Sequence, residues 1–175
     1  MTLRFPPMVS NGRHLFGMVL VAATTVAAAT AMPRCALSAE RAFSALTGNW
    51  NGGGVVKKSD GGSERIRCRS TYEPVGGTQL TLRLRCASDS YNFDLSANVA
   101  YEGGPIAGTW SEASRNVSGN ITGRSNPNGS QIQAAAQGVG FNASLSVTTR
   151  GGKQTVLITA PGTDVAEVNI AMDRR

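Results

Sequence analysis

The sequence predicts an all-β protein: an antiparallel meander of about ten strands, closing as an up-and-down barrel in preference to a two-layer sandwich. Three observations carry that prediction. From Trp50 onward apolar and polar residues alternate with period two, the signal of half-buried strands. Glycine- and proline-rich turn sequences interrupt the alternation at roughly ten-residue intervals. Nothing beyond residue 47 reads as a long helix, and the short connections make consecutive strands hairpin partners. A meander of that kind closes into a ring without long crossovers.

Arg4, Arg13 and His14 precede an uncharged apolar run from Leu15 to Ala29. At about 15 residues the run is shorter than the ~20 needed to span a bilayer. A basic flank, a short apolar core and small residues after it make a secretory signal. Cleavage is expected after Ala39, or after Ala31, where Leu37-Ser38-Ala39 and Ala29-Thr30-Ala31 supply small residues. Arg34 before Cys35 argues against a lipoprotein. Cysteine count favours the later cut, because the chain holds Cys35, Cys68 and Cys86 and losing Cys35 leaves a pair. The expected organisation is therefore a signal peptide over 1–39 and one β domain over 40–175, periplasmic or secreted, with a Cys68–Cys86 disulfide. Losing Arg4, Arg13 and Arg34 leaves 14 of the 17 basic residues against 11 acidic ones, so the net charge of +6 falls to about +3.

The domain opens with Arg41 to Leu46, enough for one short turn, and the first strand starts near Trp50. Ser59-Asp60-Gly61-Gly62 ends it. Two arginine-bearing strands follow, around Glu64–Ser70 and Leu82–Cys86, separated by Pro74-Val75-Gly76-Gly77. The clearest strand runs from Tyr91 to Tyr101: Tyr91, Phe93, Leu95, Ala97, Val99 and Tyr101 share one face, Asn92, Asp94, Ser96 and Asn98 the other. Further turns fall at Glu102-Gly103-Gly104-Pro105, Asn126-Pro127-Asn128-Gly129, Gly151-Gly152 and Pro161-Gly162. Phe141, Ala143, Leu145 and Val147 repeat the alternation, as do Val168, Ile170 and Met172. An outer-membrane barrel, which needs a lipid-facing apolar band and aromatic girdles, is disfavoured, because the apolar faces are rich in alanine and glycine and several strands are too polar on both sides.

Leu46-Thr47-Gly48-Asn49-Trp50 resembles the Gly-x-Trp start of lipocalins and other calycin barrels. That resemblance implies that Trp50 plugs one end of the barrel and that Arg174, on the last strand, packs across it. The lipocalin Thr-Asp-Tyr motif is absent, and Gly108-Thr109-Trp110 supplies a second Gly-x-Trp. In architecture the chain also resembles periplasmic metalloprotease inhibitors, which are small exported barrels with one disulfide. Glu64-Arg65-Ile66-Arg67-Cys68-Arg69 and Leu84-Arg85-Cys86-Ala87-Ser88-Asp89-Ser90-Tyr91 resemble a group of small exported bacterial proteins of unassigned function.

Several chemistries are closed to the domain. The only histidine, His14, lies in the signal peptide, so the domain cannot build a Ser-His-Asp triad or a His-ligated zinc site. Bonded cysteines leave no thiol nucleophile. Gly52-Gly53-Gly54 lacks the following Lys-Ser/Thr of a phosphate loop. The expectation is a non-enzymatic envelope protein with no cofactor and no metal.

Arginine spacing supplies the candidate site. Arg65, Arg67 and Arg69 alternate along one strand, Arg83 and Arg85 along the next. If Cys68 faces Cys86, then Arg69 lies opposite Arg85 and Thr71 opposite Arg83. The cysteines and leucines then share the buried face and the five arginines the other. Like charges directly opposed destabilise a strand pair, so an anionic partner is expected, inside the protein or outside it. The plain alternative is a solvated edge whose arginines pair with Glu64, Asp89 or Asp94. Guanidinium forks suit phosphate and carboxylate, which makes anionic lipid, an envelope polymer or an acidic protein surface the candidate partners. Nucleic acid is disfavoured, since no aromatics interleave with the arginines to stack bases. The expected function is binding of a small or anionic ligand, with a protease-inhibitor-like, protein-docking barrel as the alternative. A lined interior favours the first, a filled core with a projecting N-terminal segment the second.

Overall fold

In a computed structural model, residues 42–175 are described; the apolar leader, both cleavage motifs and Cys35 lie outside them. Ten strands follow in chain order: β1 Gly48–Lys58, β2 Ser63–Val75, β3 Gln79–Ala87, β4 Asn92–Tyr101, β5 Pro105–Glu112, β6 Val117–Ser125, β7 Gln131–Gly138, β8 Phe141–Arg150, β9 Lys153–Thr159 and β10 Val165–Arg174. Each pairs antiparallel with the next, and β1 also pairs with β10, so the sheet closes on itself as a barrel. Closure removes the unpaired edges that an open sheet must protect.

Small residues let the ring close. An ideal Cβ at Gly54 would lie 1.9 Å from the carbonyl oxygen of Asn169 on β10, and one at Gly52 would lie 2.0 Å from that of Ala171. The Gly52-Gly53-Gly54 run is thus a place where two strands of a strongly curved sheet come close. The turn signals fall where the sequence places them, with two shifts of boundary. Pro74 and Val75 extend β2, where Pro74 faces Leu80, and Pro105 opens β5. A strand's first residue is one of the positions a sheet tolerates proline.

Inward-facing residues fill the two ends of the barrel differently. At the end where β1 begins, residues 42–46 form a turn that lies in the barrel mouth, with Ala42, Phe43 and Leu46 buried. Trp50 is fully buried beneath it and donates its indole N–H to the Leu46 carbonyl at 2.7 Å. The Arg174 guanidinium lies 4.6 Å from the Trp50 ring centre and donates to the carbonyls of Thr47 and Ala45. Phe43 meets Tyr101 edge-on at 6.0 Å. Below the plug a polar relay is closed without loose ends: Tyr72 donates to Gln154 at 3.0 Å and Gln154 to Thr149 at 3.2 Å. Burial pushes the Tyr72 phenol up to about 12. This end is solid.

Cys68 and Cys86 form a disulfide on the inner face, in the register that sets Arg69 against Arg85 and Thr71 against Arg83. Their Cα atoms are 4.1 Å apart, just below the usual range of about 4.4–6.8 Å. Directly opposed residues come closest at the non-hydrogen-bonded positions of an antiparallel ladder.

Candidate functional site

The half of the barrel away from Trp50 is not filled. Its inner wall combines small side chains, Ala97, Ala136 and Ala143, with larger ones, Leu84, Leu95 and Ile158. Between them lies a cavity of about 300 Å³ that reaches the loops at that end. This volume is at the lower limit of ordinary small-molecule sites. Trp110 forms part of the wall. Its ring packs on Phe141 at 5.2 Å, and its N–H is satisfied by the carbonyls of Asn120 and Gln137, so the indole presents an apolar surface inward.

The rim is built around Glu112, at the end of β5. Its side chain is buried, and its carboxylate accepts backbone N–H groups of Asp94 at 2.9 Å, Ser114 at 3.0 Å and Arg115 at 2.9 Å. Burial alone would raise its pKa; these hydrogen bonds outweigh burial and hold it below 4.5. One carboxylate thereby holds the β5–β6 turn and ties it to β4. Asn116 adopts a left-handed φ of 54° in this turn, which contains neither glycine nor proline. Arg115 follows the same anchor. It lies 3.7 Å from Glu112, and its guanidinium sits 4.9 Å over the ring of Phe93 and 6.0 Å over that of Tyr91.

A folded-state pKa below the unfolded one means that Glu112 stabilises the fold fully above pH 4.5 and loses that contribution as pH falls through the lowered value. Glu112→Gln should therefore melt lower than wild type at pH 7, by roughly 1–3 kcal/mol of stability. The gap should narrow towards pH 3. Equal melting temperatures at both pH values would show that the carboxylate does not anchor the rim.

Outside the barrel the five predicted arginines are all exposed, as the register requires. They do not form one cluster. Arg67, Arg69 and Arg85 line an outer trough of about 750 Å³, joined there by Asn51 and Arg175, whereas Arg65 and Arg83 lie beyond it along the strands. Of the proposed carboxylate partners, Asp94 reaches Arg85 at 3.2 Å. Glu64 instead accepts the Ser90 N–H at 2.9 Å, and hydrogen bonds from Ser88 and Ser90 lower its pKa. Among the described residues, no carboxylate lies within ion-pair distance of Arg65, Arg67, Arg69 or Arg83.

The cavity wall and Arg115 were not singled out by the sequence. Any alternating strand supplies inward residues, and only the closed ring shows which of them meet across it.

No protein-family model matches the chain, and no curated protein matches its sequence. Solved structures share its shape. Rv2717c from M. tuberculosis superposes with a TM-score of 0.59 at 14% identity, covering 78% of this chain and 97% of that one. The S-type phycobiliprotein lyase CPES from Guillardia theta gives a TM-score of 0.54 at 8% identity, covering 79% of this chain and 95% of that one. At such identities the likeness is one of fold: a ten-strand barrel.

Proposed function

We propose that the protein is a non-enzymatic, exported carrier that holds a small, largely apolar molecule inside its barrel. The observation that carries this reading is the cavity of about 300 Å³, walled by leucine, isoleucine, alanine and aromatic side chains and reaching the loop end. A filled core would have favoured the protease-inhibitor-like alternative. The calycin resemblance points the same way, and the contact of Arg174 with Trp50 supports it by closing the opposite end. One structural neighbour is named as a lyase, so shape does not decide between carrier and enzyme. The choice rests on residues: the domain has no histidine, and Cys68 and Cys86 are bonded to each other. Export is supported by the uncharged run from Leu15 to Ala29 and by a disulfide of the kind that persists in oxidising compartments.

The test is a titration with N-phenylnaphthylamine, a neutral fluorophore that brightens in apolar surroundings. The wild-type protein should bind one equivalent. Ala136→Leu, which places added carbon in the cavity, should bind at least about tenfold more weakly, a difference of 1.4 kcal/mol. Ala135→Leu, on the outer face of the same strand, should bind like wild type. No binding by wild type, or equal loss in both variants, would reject the carrier.

A further inference from the structure

We propose that the outer trough over β1–β3 is a second, separate site, and that it binds a linear acidic polysaccharide through Arg67, Arg69 and Arg85.

The trough is a direct product of register. Across the outer face one row reads Asn51, Arg69, Arg85 and Asp94, and the next reads Gly53, Arg67, Ala87 and Asn92. Gly53 and Ala87 are bare or nearly so, which leaves Arg67 standing beside an open floor. Arg69 and Arg85 are directly opposed, an arrangement that costs a strand pair stability. Asp94 answers one of the two charges and nothing among the described residues answers the other. The outer faces of β5 to β9 are mostly uncharged, with Arg124, Arg150 and Lys153 confined to the plug end. Of the strand arginines with no ion pair among the described residues, Arg65, Arg67, Arg69 and Arg83 share this side of the barrel, and Arg124, Arg150 and Arg174 lie at the plug end.

The form of the site selects its occupant. Arginines at alternate positions of β2 repeat about every 6.6–6.8 Å, and neighbouring strands lie about 4.8 Å apart, so the forks form a short line that suits a chain. Carboxylate on that chain would meet guanidinium two-pronged. Amides and hydroxyls flank the arginines: Asn51 and Asn92 within the trough, and Thr71 bonded to Asn49 at 2.9 Å beside it. Such groups suit a polymer that carries hydroxyls between its charges. A membrane surface fits less well. The face is the convex wall of a barrel, and among the described residues its exposed large apolar side chains are two valines set apart from each other, Val55 on β1 and Val75 at the end of β2. Nucleic acid fits less well: Phe93 is the one aromatic lining the trough among the described residues, and the Arg115 guanidinium already lies over its ring.

The experiment uses polygalacturonate oligomers as probe, with the full chain, at low and at physiological ionic strength. Wild-type protein should bind them, and binding should weaken steeply with salt because the charges are exposed. Arg67→Ser with Arg69→Ser should lower affinity at least about tenfold without lowering the melting temperature, since neither residue has a carboxylate to abandon. Arg67→Lys with Arg69→Lys, which keeps the charge and loses the fork, should fall between the two. N-phenylnaphthylamine binding should be the same in all three proteins, so the fates of the cavity and of the trough are read separately. The proposal is overturned if wild type ignores polygalacturonate, or if the serine variant binds it equally. It is overturned equally if the serine variant melts lower, which would make the arginines structural. Tighter binding to phosphatidylglycerol vesicles or oligothymidylate than to polygalacturonate would overturn the assigned partner.

Discussion

Gly54→Ala should destabilise the barrel by about 3 kcal/mol, measured as a fall in the urea midpoint. The added Cβ would fall 1.9 Å from the Asn169 carbonyl oxygen, 2.9 Å from its carbon and 2.9 Å from the Ile170 Cα. All three are backbone atoms of β10, so no side chain can swing aside. The strand itself must move, and β1 is held on its other side by β2. Gly53→Ala supplies the graded comparison. There a Cβ would meet the Ile66 carbonyl oxygen at 2.8 Å, with its next neighbour at 3.9 Å, so a small shift relieves it. The ordering Gly54 well above Gly53 is the expected result. Equal costs would mean that the strands can part at Gly54 as easily as at Gly53.

Removing the disulfide should have an effect of similar size for a different reason. Cys68→Ala with Cys86→Ala opens a loop closed across 18 residues, and the loop-entropy model assigns such a link about 3 kcal/mol. The neighbouring residues add a salt-dependent part. Arg69 and Arg85 lie one position away on the outer face, and the bond holds these like charges in register. Urea unfolding of the double variant should show a deficit that is larger at low salt than at high, since salt screens the exposed pair. An unchanged midpoint would show that the β2–β3 ladder needs no covalent link. A deficit independent of salt would show that the opposed arginines carry no strain.

These two predictions differ in how much of their basis can be read from sequence. Period-two alternation means that one correct pairing fixes a whole ladder, so matching Cys68 to Cys86 also places Arg69 against Arg85 and the leucines inside. Turns built on Gly61, Gly103 or Gly151 are equally legible, because each needs a left-handed backbone. The turn after Glu112 is not. It holds neither glycine nor proline, and what shapes it is a carboxylate turned back onto two of its own backbone N–H groups and one on β4. The crowding at Gly54 is invisible for a related reason: β1 and β10 are far apart in the chain, and only ring closure makes them neighbours. The cavity required still more, since its wall draws residues from β3 through β10, which only the closed ring brings together. The arginines were legible as a strand pair but not as a trough. Their division into Arg67, Arg69 and Arg85 within the trough, with Arg65 and Arg83 beyond its opposite ends, depends on the neighbouring strands.

The order of pairing around the ring also governs how the chain reaches this shape. Nine of the ten ladders join strands adjacent in sequence, and only β1 with β10 joins distant ones. Local hairpins assemble early because little loop entropy opposes them. The β1–β10 ladder must wait until the other strands are placed, so closure is the slow, non-local step of folding. Until it happens, the nascent sheet exposes two raw edges to other chains, the hazard of any late-pairing strand. The glycines that let β1 approach β10 therefore sit on the last seam to close, and slowing that seam would lengthen the interval in which the protein can aggregate.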